Sequence, residues 1–207
     1  FGKNERETVL FQHFGQLNKQ INSVENKLFQ TIADTHNSQG IVVIAEKPKN
    51  SFDELPMSNH FIFLHEINNP SNLGAILRTA EAAGINGIII SKNSTDVFSP
   101  KAIRASMGSV FRLPIWEKAE FEEVLSWAKL KKLMTTAADI KAENTIWETD
   151  WKQKRLIIFG SEADGLSEEK LSKIDEMIYV PMENAVESLN LAVSCGVILF
   201  EAKRQRN

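Results

Sequence analysis

The sequence predicts an α/β protein whose mostly parallel sheet is covered by helices on both faces. Three observations carry this. Short, near-continuous apolar runs at 61–65, 87–91 and 156–159 read as strands buried on both sides. Helical patterns with their own start and stop residues stand between them, so strands and helices alternate. An apolar fraction of 43% with 25% charged residues over 207 positions, and only 10 Gly and 6 Pro, supplies a core and excludes disordered or collagen-like chains.

The elements follow in order. In 1–33 there is no proline, and Ile21, Val24, Leu28 and Ile32 recur at helical spacing, which predicts two amphipathic helices. The run 41–45 predicts a short buried strand. Prolines, serines and mixed charge without a period make 46–59 a crossing segment and set a domain boundary there. After the strand at 61–65 comes a helix over 72–83 with Gly84 as its C-cap, then the strand 87–91. Ser99-Pro100 opens a short helix ending at Ser106. A strand is expected at 110–113, a helix at 121–131 and strands at 132–136 and 156–159. Ser167 caps a short helix carrying Glu168 and Glu169 near its positive end. A last strand at 177–180 precedes a closing helix over 188–204, with Ser188 as a candidate N-cap.

Function classes narrow by elimination. With 24 basic and 27 acidic side chains the formal charge is −3, so the chain is not basic overall and any nucleic-acid site must be local. The single cysteine, Cys195, permits no internal disulfide and lies in an apolar helix, which predicts a buried, inert thiol and a reducing, cytoplasmic setting. No apolar run reaches the roughly 18 residues of a membrane span. The chain opens at Phe1 without a Met, which suggests a trimmed chain or a fragment. G-x-G-x-x-G, H-E-x-x-H and G-x-S-x-G are all absent, and the four histidines show no ligand spacing.

Ligands of open α/β sheets sit beyond the carboxyl ends of strands, which singles out the segments after Leu64, Phe159 and Val180. The first runs through Asn69-Pro70 to Asn72 and Arg78. Six helical residues separate the last two, about 9 Å of rise and about 120° of rotation, so they can flank one pocket without touching. Arg78 could grip a phosphate bidentately; a solvated arginine is the plain alternative. The second segment, Gly160-Ser161-Glu162-Ala163-Asp164-Gly165-Leu166-Ser167, resembles a phosphate loop but has Leu166 where a lysine is needed, so a ligand lying against bare backbone fits better than a nucleoside triphosphate. A glycine-bearing connecting turn is the plain reading. In the third, Val180-Pro181-Met182 leads to Ser188 and Asn190 at the head of an apolar helix.

Asn69-Pro70-x-Asn72-Leu73-Gly74-x-x-x-Arg78-Thr79-Ala80, Gly160-x-Glu162-x-x-Gly165-Leu166, and Val180-Pro181-Met182 leading to Glu187-Ser188-Leu189-Asn190 together closely resemble the three ordered motifs of the SpoU (TrmH) RNA ribose methyltransferases, members of the SPOUT superfamily. The resemblance spans about 60–205. Thr31 to Val43, with Asp34-Thr35 and Gln39-Gly40-Ile41, resembles the join behind an N-terminal substrate-binding domain, although Ser38 stands where the family usually has proline. The resemblance implies a partial N-terminal α/β RNA substrate-binding region over 1–48, a linker over 49–59 and a SPOUT catalytic domain over 60–207 ending in a deep trefoil knot.

It further implies a homodimer that moves a methyl group from S-adenosylmethionine to a ribose 2′-hydroxyl of RNA, ribosomal in preference to transfer RNA, without a metal. By motif position, Gly160, Gly165, Val180, Met182 and Leu189 would contact the methyl donor, with Thr136 at the end of its strand. Asn72, Arg78, Glu162, Ser188 and Asn190 match the catalytic-pocket positions. The expected work of Arg78 is to hold an RNA phosphate and stabilise developing charge, while the proton acceptor stays open. Two basic clusters, Lys101 with Arg104 and Arg112, and Lys203 with Arg204 and Arg206, are candidate RNA contacts or solvated faces. The alternative is a non-catalytic RNA-binding or ribosome assembly factor that keeps the methyltransferase fold.

Overall fold

The computed structural model describes residues 5–17, 20–33, 40–48, 55, 59–184, 186 and 188–207. Asp34, Thr35, Gln39, most of the linker, Ala185 and Glu187 lie outside the described residues. The chain divides into two units, Phe1–Lys47 and Pro48–Asn207. The first holds helices α1 (Glu5–Gln16) and α2 (Asn26–Ile32). The strand expected at 41–45 does not form: the backbone there is irregular, and Ile44 is 95% exposed. No described strand runs beside it, and a five-residue apolar run without a partner cannot satisfy its backbone groups as a strand.

The second unit carries a seven-stranded, wholly parallel sheet. Its strands are β1 (His60–Leu64), β2 (Gly87–Ser91), β3 (Ile115–Ala119), β4 (Met134–Ala138), β5 (Asn144–Thr145), β6 (Arg155–Phe159) and β7 (Glu176–Tyr179), in the spatial order β3-β2-β1-β6-β4-β7-β5. β1 and β6 lie at the centre in register from His60–Arg155 to Leu64–Phe159, and every residue of both is buried. The side chains alternate between two cores. Ile62, Leu64, Ile157 and Phe159 face α3 (Pro70–Ala83) and α7 (Leu191–Arg206), while Phe61, Phe63, Leu156 and Ile158 face α5 (Phe121–Leu130). Helices α4 (Pro100–Ser106) and α6 (Glu168–Leu171) complete the unit.

Several boundaries move for identifiable reasons. The residues expected as a strand at 110–113 include a 3-10 turn, Ser109–Phe111, entered through Gly108 in the left-handed region. Val110 and Leu113 are buried, so the apolar signal was real but not strand-like. The strand follows instead, registered where Ile88 N–H donates to the Pro114 carbonyl. β4 starts two residues late because α5 unwinds through Lys132, whose N–H donates to the Lys129 carbonyl. α7 begins at Leu191, and its cap is Asn190, whose Oδ1 accepts from the Ala192 N–H at 2.9 Å; Ser188 does not cap it. The two-residue β5 had no apolar run to reveal it.

Candidate active site

The carboxyl ends of β1, β4, β6 and β7 open onto one cleft of about 1190 Å³. Each motif segment reaches it for a local reason. After β1, the N–H of Glu66 donates to Ser91 Oγ (2.8 Å) and that of Ile67 to Ser94 Oγ (3.1 Å), which ties the turn to the end of β2. Asn69 then caps α3, accepting from the Ser71 N–H at 2.9 Å with Pro70 in the first turn, so Asn72 stands at the head of the helix facing the cleft.

After β6 the chain closes on itself. Ser161 and Gly165 exchange two backbone hydrogen bonds of 3.1 Å, and the Asp164 N–H donates to Ser161 Oγ at 3.1 Å. A Cβ on Gly160 would lie 2.2 Å from the Gly165 carbonyl carbon, a distance no side chain tolerates, so the loop requires a bare backbone at that position. The loop directs the Glu162 carboxylate back toward the first segment. Its Oε2 accepts from Asn68 N–H (3.3 Å), and its Oε1 accepts from Asn69 N–H (3.3 Å) and Asn72 Nδ2 (3.2 Å). Asn72 Oδ1 in turn accepts from Asn190 Nδ2 at 3.2 Å. One polar chain, Glu162–Asn72–Asn190, therefore joins the three segments at the mouth of the cleft.

Of the sequence-predicted residues, Asn72, Glu162, Ser188, Asn190, Gly160, Gly165, Val180, Met182 and Leu189 all line this cleft, and two do not. Thr136 lies in the middle of β4, fully buried, where its Oγ1 accepts from Arg155 Nη1 at 2.6 Å. That guanidinium also pairs with Glu176 and stacks over Trp151, so Thr136 belongs to a structural network; the two-residue shift of β4 put the strand's end at Ala138 instead. Arg78 is exposed on α3 outside the cleft, without a hydrogen bond or ion pair to the described residues.

The sequence reading missed Glu66, Lys101 and the segment 138–141 as cleft residues. The signal for the last was Asp139 directly after an apolar strand, where its Oδ1 accepts from the Lys141 N–H at 2.8 Å. Four of the six cations in the two candidate basic clusters are held within the chain, while Lys101 lines the cleft. Arg112 grips Glu81 with Nε at 2.5 Å and Nη2 at 2.8 Å; Arg204 holds Glu201; Lys203 and Arg206 donate to the carbonyls of Ala82 and Ala83.

Electrostatically the cleft is acidic. Glu66, Asp139, Glu162 and Asp164 outnumber Lys101 and Lys141 around a floor of Phe159, Ile178, Val180 and Ile198. A ligand with a flat apolar body and a positive centre suits such a wall. Behind it, His65 accepts from Lys170 Nζ at 2.7 Å through Nε2, and burial together with that ammonium holds its pKa below the usual value. Burial raises the pKa of the Cys195 thiol, as expected for an inert cysteine.

Comparison with known proteins agrees with this geometry. A sequence model described as the SpoU rRNA Methylase family matches residues 59–200. An uncharacterized tRNA/rRNA methyltransferase of Synechocystis is 34% identical over 88% of this chain, and the 23S rRNA (uridine(2479)-2′-O)-methyltransferase of Streptomyces viridochromogenes 31% over 80%. The matches span 67% and 60% of those two proteins' own lengths. Among solved structures, an AdoMet-bound rRNA methyltransferase from Sinorhizobium meliloti superposes with a TM-score of 0.87 at 30% identity, over 96% of this chain and 77% of the other.

Proposed function

The chain belongs to the SpoU rRNA methylase family, and from that premise we propose that it transfers a methyl group from S-adenosylmethionine to a ribose 2′-hydroxyl of structured RNA, ribosomal in preference to transfer RNA. The carrying observation is the Glu162–Asn72–Asn190 chain, which gathers all three motif segments around one cleft. The names of the similar proteins, in which 23S rRNA and 2′-O-methylation recur, support the substrate class. That every motif position is filled argues against a non-catalytic factor that only keeps the fold.

The donor fits this cleft. Its volume holds a nucleoside with an amino-acid arm, the apolar floor suits the adenine, and the acidic rim suits a sulfonium and an α-ammonium. The main chain of Gly160, Gly165, Val180, Met182 and Leu189 would hold it. When bound, the donor supplies an electrophilic methyl group. Glu162, with both oxygens committed as acceptors, orients the 68–72 turn and acts as a positioning residue. Ser188 and Asn190 stand on the same rim, within reach of a ribose entering the cleft mouth. Arg78 carries the permanent charge needed to hold an RNA phosphate, and its exposure keeps it available.

We assign 1–48 to RNA substrate binding, 49–59 to a linker and 60–207 to catalysis, and the segments 160–167 and 180–190 to the knotted crossing. A homodimer is supported by the exposed stripe of Val193, Val197 and Phe200 along α7; Thr79, next to Arg78, faces Gly196 of α7, where an added Cβ would meet it. The cytoplasm is the compartment this reading assigns. Incubation with tritium-labelled S-adenosylmethionine and ribosomal RNA tests the proposal: label recovered as a 2′-O-methylnucleoside supports it, and label in a base, or none, overturns it.

A further inference from the structure

We infer that the amino-terminal edge of the sheet, opposite the cleft, is a second RNA-contact surface built from Lys129, Lys132, Lys152 and Lys154. The inference rests on the reading of RNA as substrate. Two chain segments bring the four lysines together. The Met134 N–H donates to the Lys154 carbonyl at 2.9 Å, and Lys132 stands two residues before Met134 with its N–H on the Lys129 carbonyl at 3.1 Å. Lys152 heads the turn into β6, its N–H on Asp150 Oδ1 at 3.0 Å.

All four side chains are exposed, and none forms an ion pair with the described residues. Among the described acids of this edge only Glu176 is offset by a cation; Asp150 and Asp175 are held by neutral donors and Asp150 also acts on the Lys152 ammonium, so four lysines stand against two uncompensated carboxylates. Asp150 accepts from Lys152 N–H and Gln153 Nε2, Asp175 from Thr135 through both N–H and Oγ1, and Glu176 from Arg155. This sets the edge apart from the two clusters singled out in the sequence, most of whose cations are held by Glu81, Glu201 and backbone carbonyls.

Lys132 adds a further sign. Its φ of 56° is a left-handed conformation favouring glycine, yet the position holds a cation at the end of α5. The helix dipole favours a positive charge there, and the Lys132 side chain is exposed. In a chain of net charge −3 an exposed edge with an excess of cations suits a polyanion. β6 connects the two ends: Lys154 precedes its first residue and Gly160 follows its last, about 20 Å away at the rise of a parallel strand. A folded RNA whose ribose enters the cleft can lay a second stretch of phosphates across the lysines.

The test is the salt dependence of binding to a ribosomal RNA transcript for the full chain and for K129Q/K132Q/K152Q/K154Q. Each phosphate contact contributes roughly 0.7–0.9 to the slope of log affinity against log salt, so the variant should lose about 3 from the slope and at least tenfold in affinity near 0.1 M salt. Heat of S-adenosylmethionine binding should stay unchanged, which separates this surface from the cleft. The control K92Q/K173Q removes lysines paired with Glu120 and Glu122 and should keep the slope. An unaltered slope in the fourfold variant, or an equal loss in the control, overturns the inference. If the unaltered protein binds the donor but no RNA, the substrate reading fails with it.

Discussion

Asn190 donates its side-chain amide to Asn72 Oδ1 at 3.2 Å, across 118 positions of sequence. The same Asn72 amide donates to Glu162 at 3.2 Å. Asn72 is thus the hub through which the head of α3, the loop after β6 and the head of α7 hold one geometry. Among the described residues no backbone–backbone hydrogen bond joins those three segments at the cleft mouth, so their fine placement there rests on a few hydrogen bonds to side chains.

Replacing Glu162 should therefore damage turnover more than stability. E162A frees two backbone N–H groups and the Asn72 amide at an exposed site, where each lost hydrogen bond costs about 1 kcal/mol. Methyl transfer should fall at least 100-fold, while the melting temperature drops by only a few degrees. Single-turnover rates and thermal melts check both outcomes.

Gly160→Ala should do the reverse. The added methyl meets the Gly165 carbonyl carbon at 2.2 Å, so the 160–166 loop must open. A loss of roughly 3 kcal/mol is expected, together with loss of S-adenosylmethionine binding at temperatures where circular dichroism still reports a folded sheet.

Arg78→Ala should leave stability within about 0.5 kcal/mol, as for an exposed side chain with no partner among the described residues. Methyl transfer should be abolished with donor affinity intact. Turnover equal to that of the unaltered protein removes Arg78 from the mechanism.

Stability should depend on pH through His60. Burial and the Arg206 cation push its pKa down to about 4, while Nε2 contacts the Trp151 carbonyl at 3.0 Å. The folded chain then resists a proton that the unfolded chain accepts near pH 6.5, so stability rises with pH through the window 4–6.5 and levels off above it. About 2 kcal/mol should be lost between pH 7 and pH 5. Glu81 and Glu201, each lowered to about 2 by an arginine, contribute only at the lower end of that window and beneath it, from about pH 4.5 downward. Urea titrations at the two pH values measure the loss, and His60→Gln should flatten it.

How far the sequence spoke depended on what each residue answers to. The central strands were legible because Phe61–Leu64 and Leu156–Phe159 are apolar on both faces, and α3 was legible because the Asn-Pro start and Gly84 stop are local chemistry. The cleft was legible through its glycines and polar residues, whose types answer to loop geometry. Thr136 was misplaced because the end of α5 is settled by a left-handed Lys132 that no pattern announces. The 41–45 run failed because an apolar pentapeptide does not show whether a partner strand exists. The partners of the basic clusters were hidden for a related reason: a sequence lists Arg112 and Arg204 but not the glutamates that pair with them.

The most direct measurement is a calorimetric titration of the protein with S-adenosylmethionine. Saturable heat with one site per chain, absent from the Gly160→Ala variant at a temperature where it remains folded, is the expected result. No heat with the unaltered chain, or equal heat with the variant, would contradict the assignment of this cleft to the methyl donor.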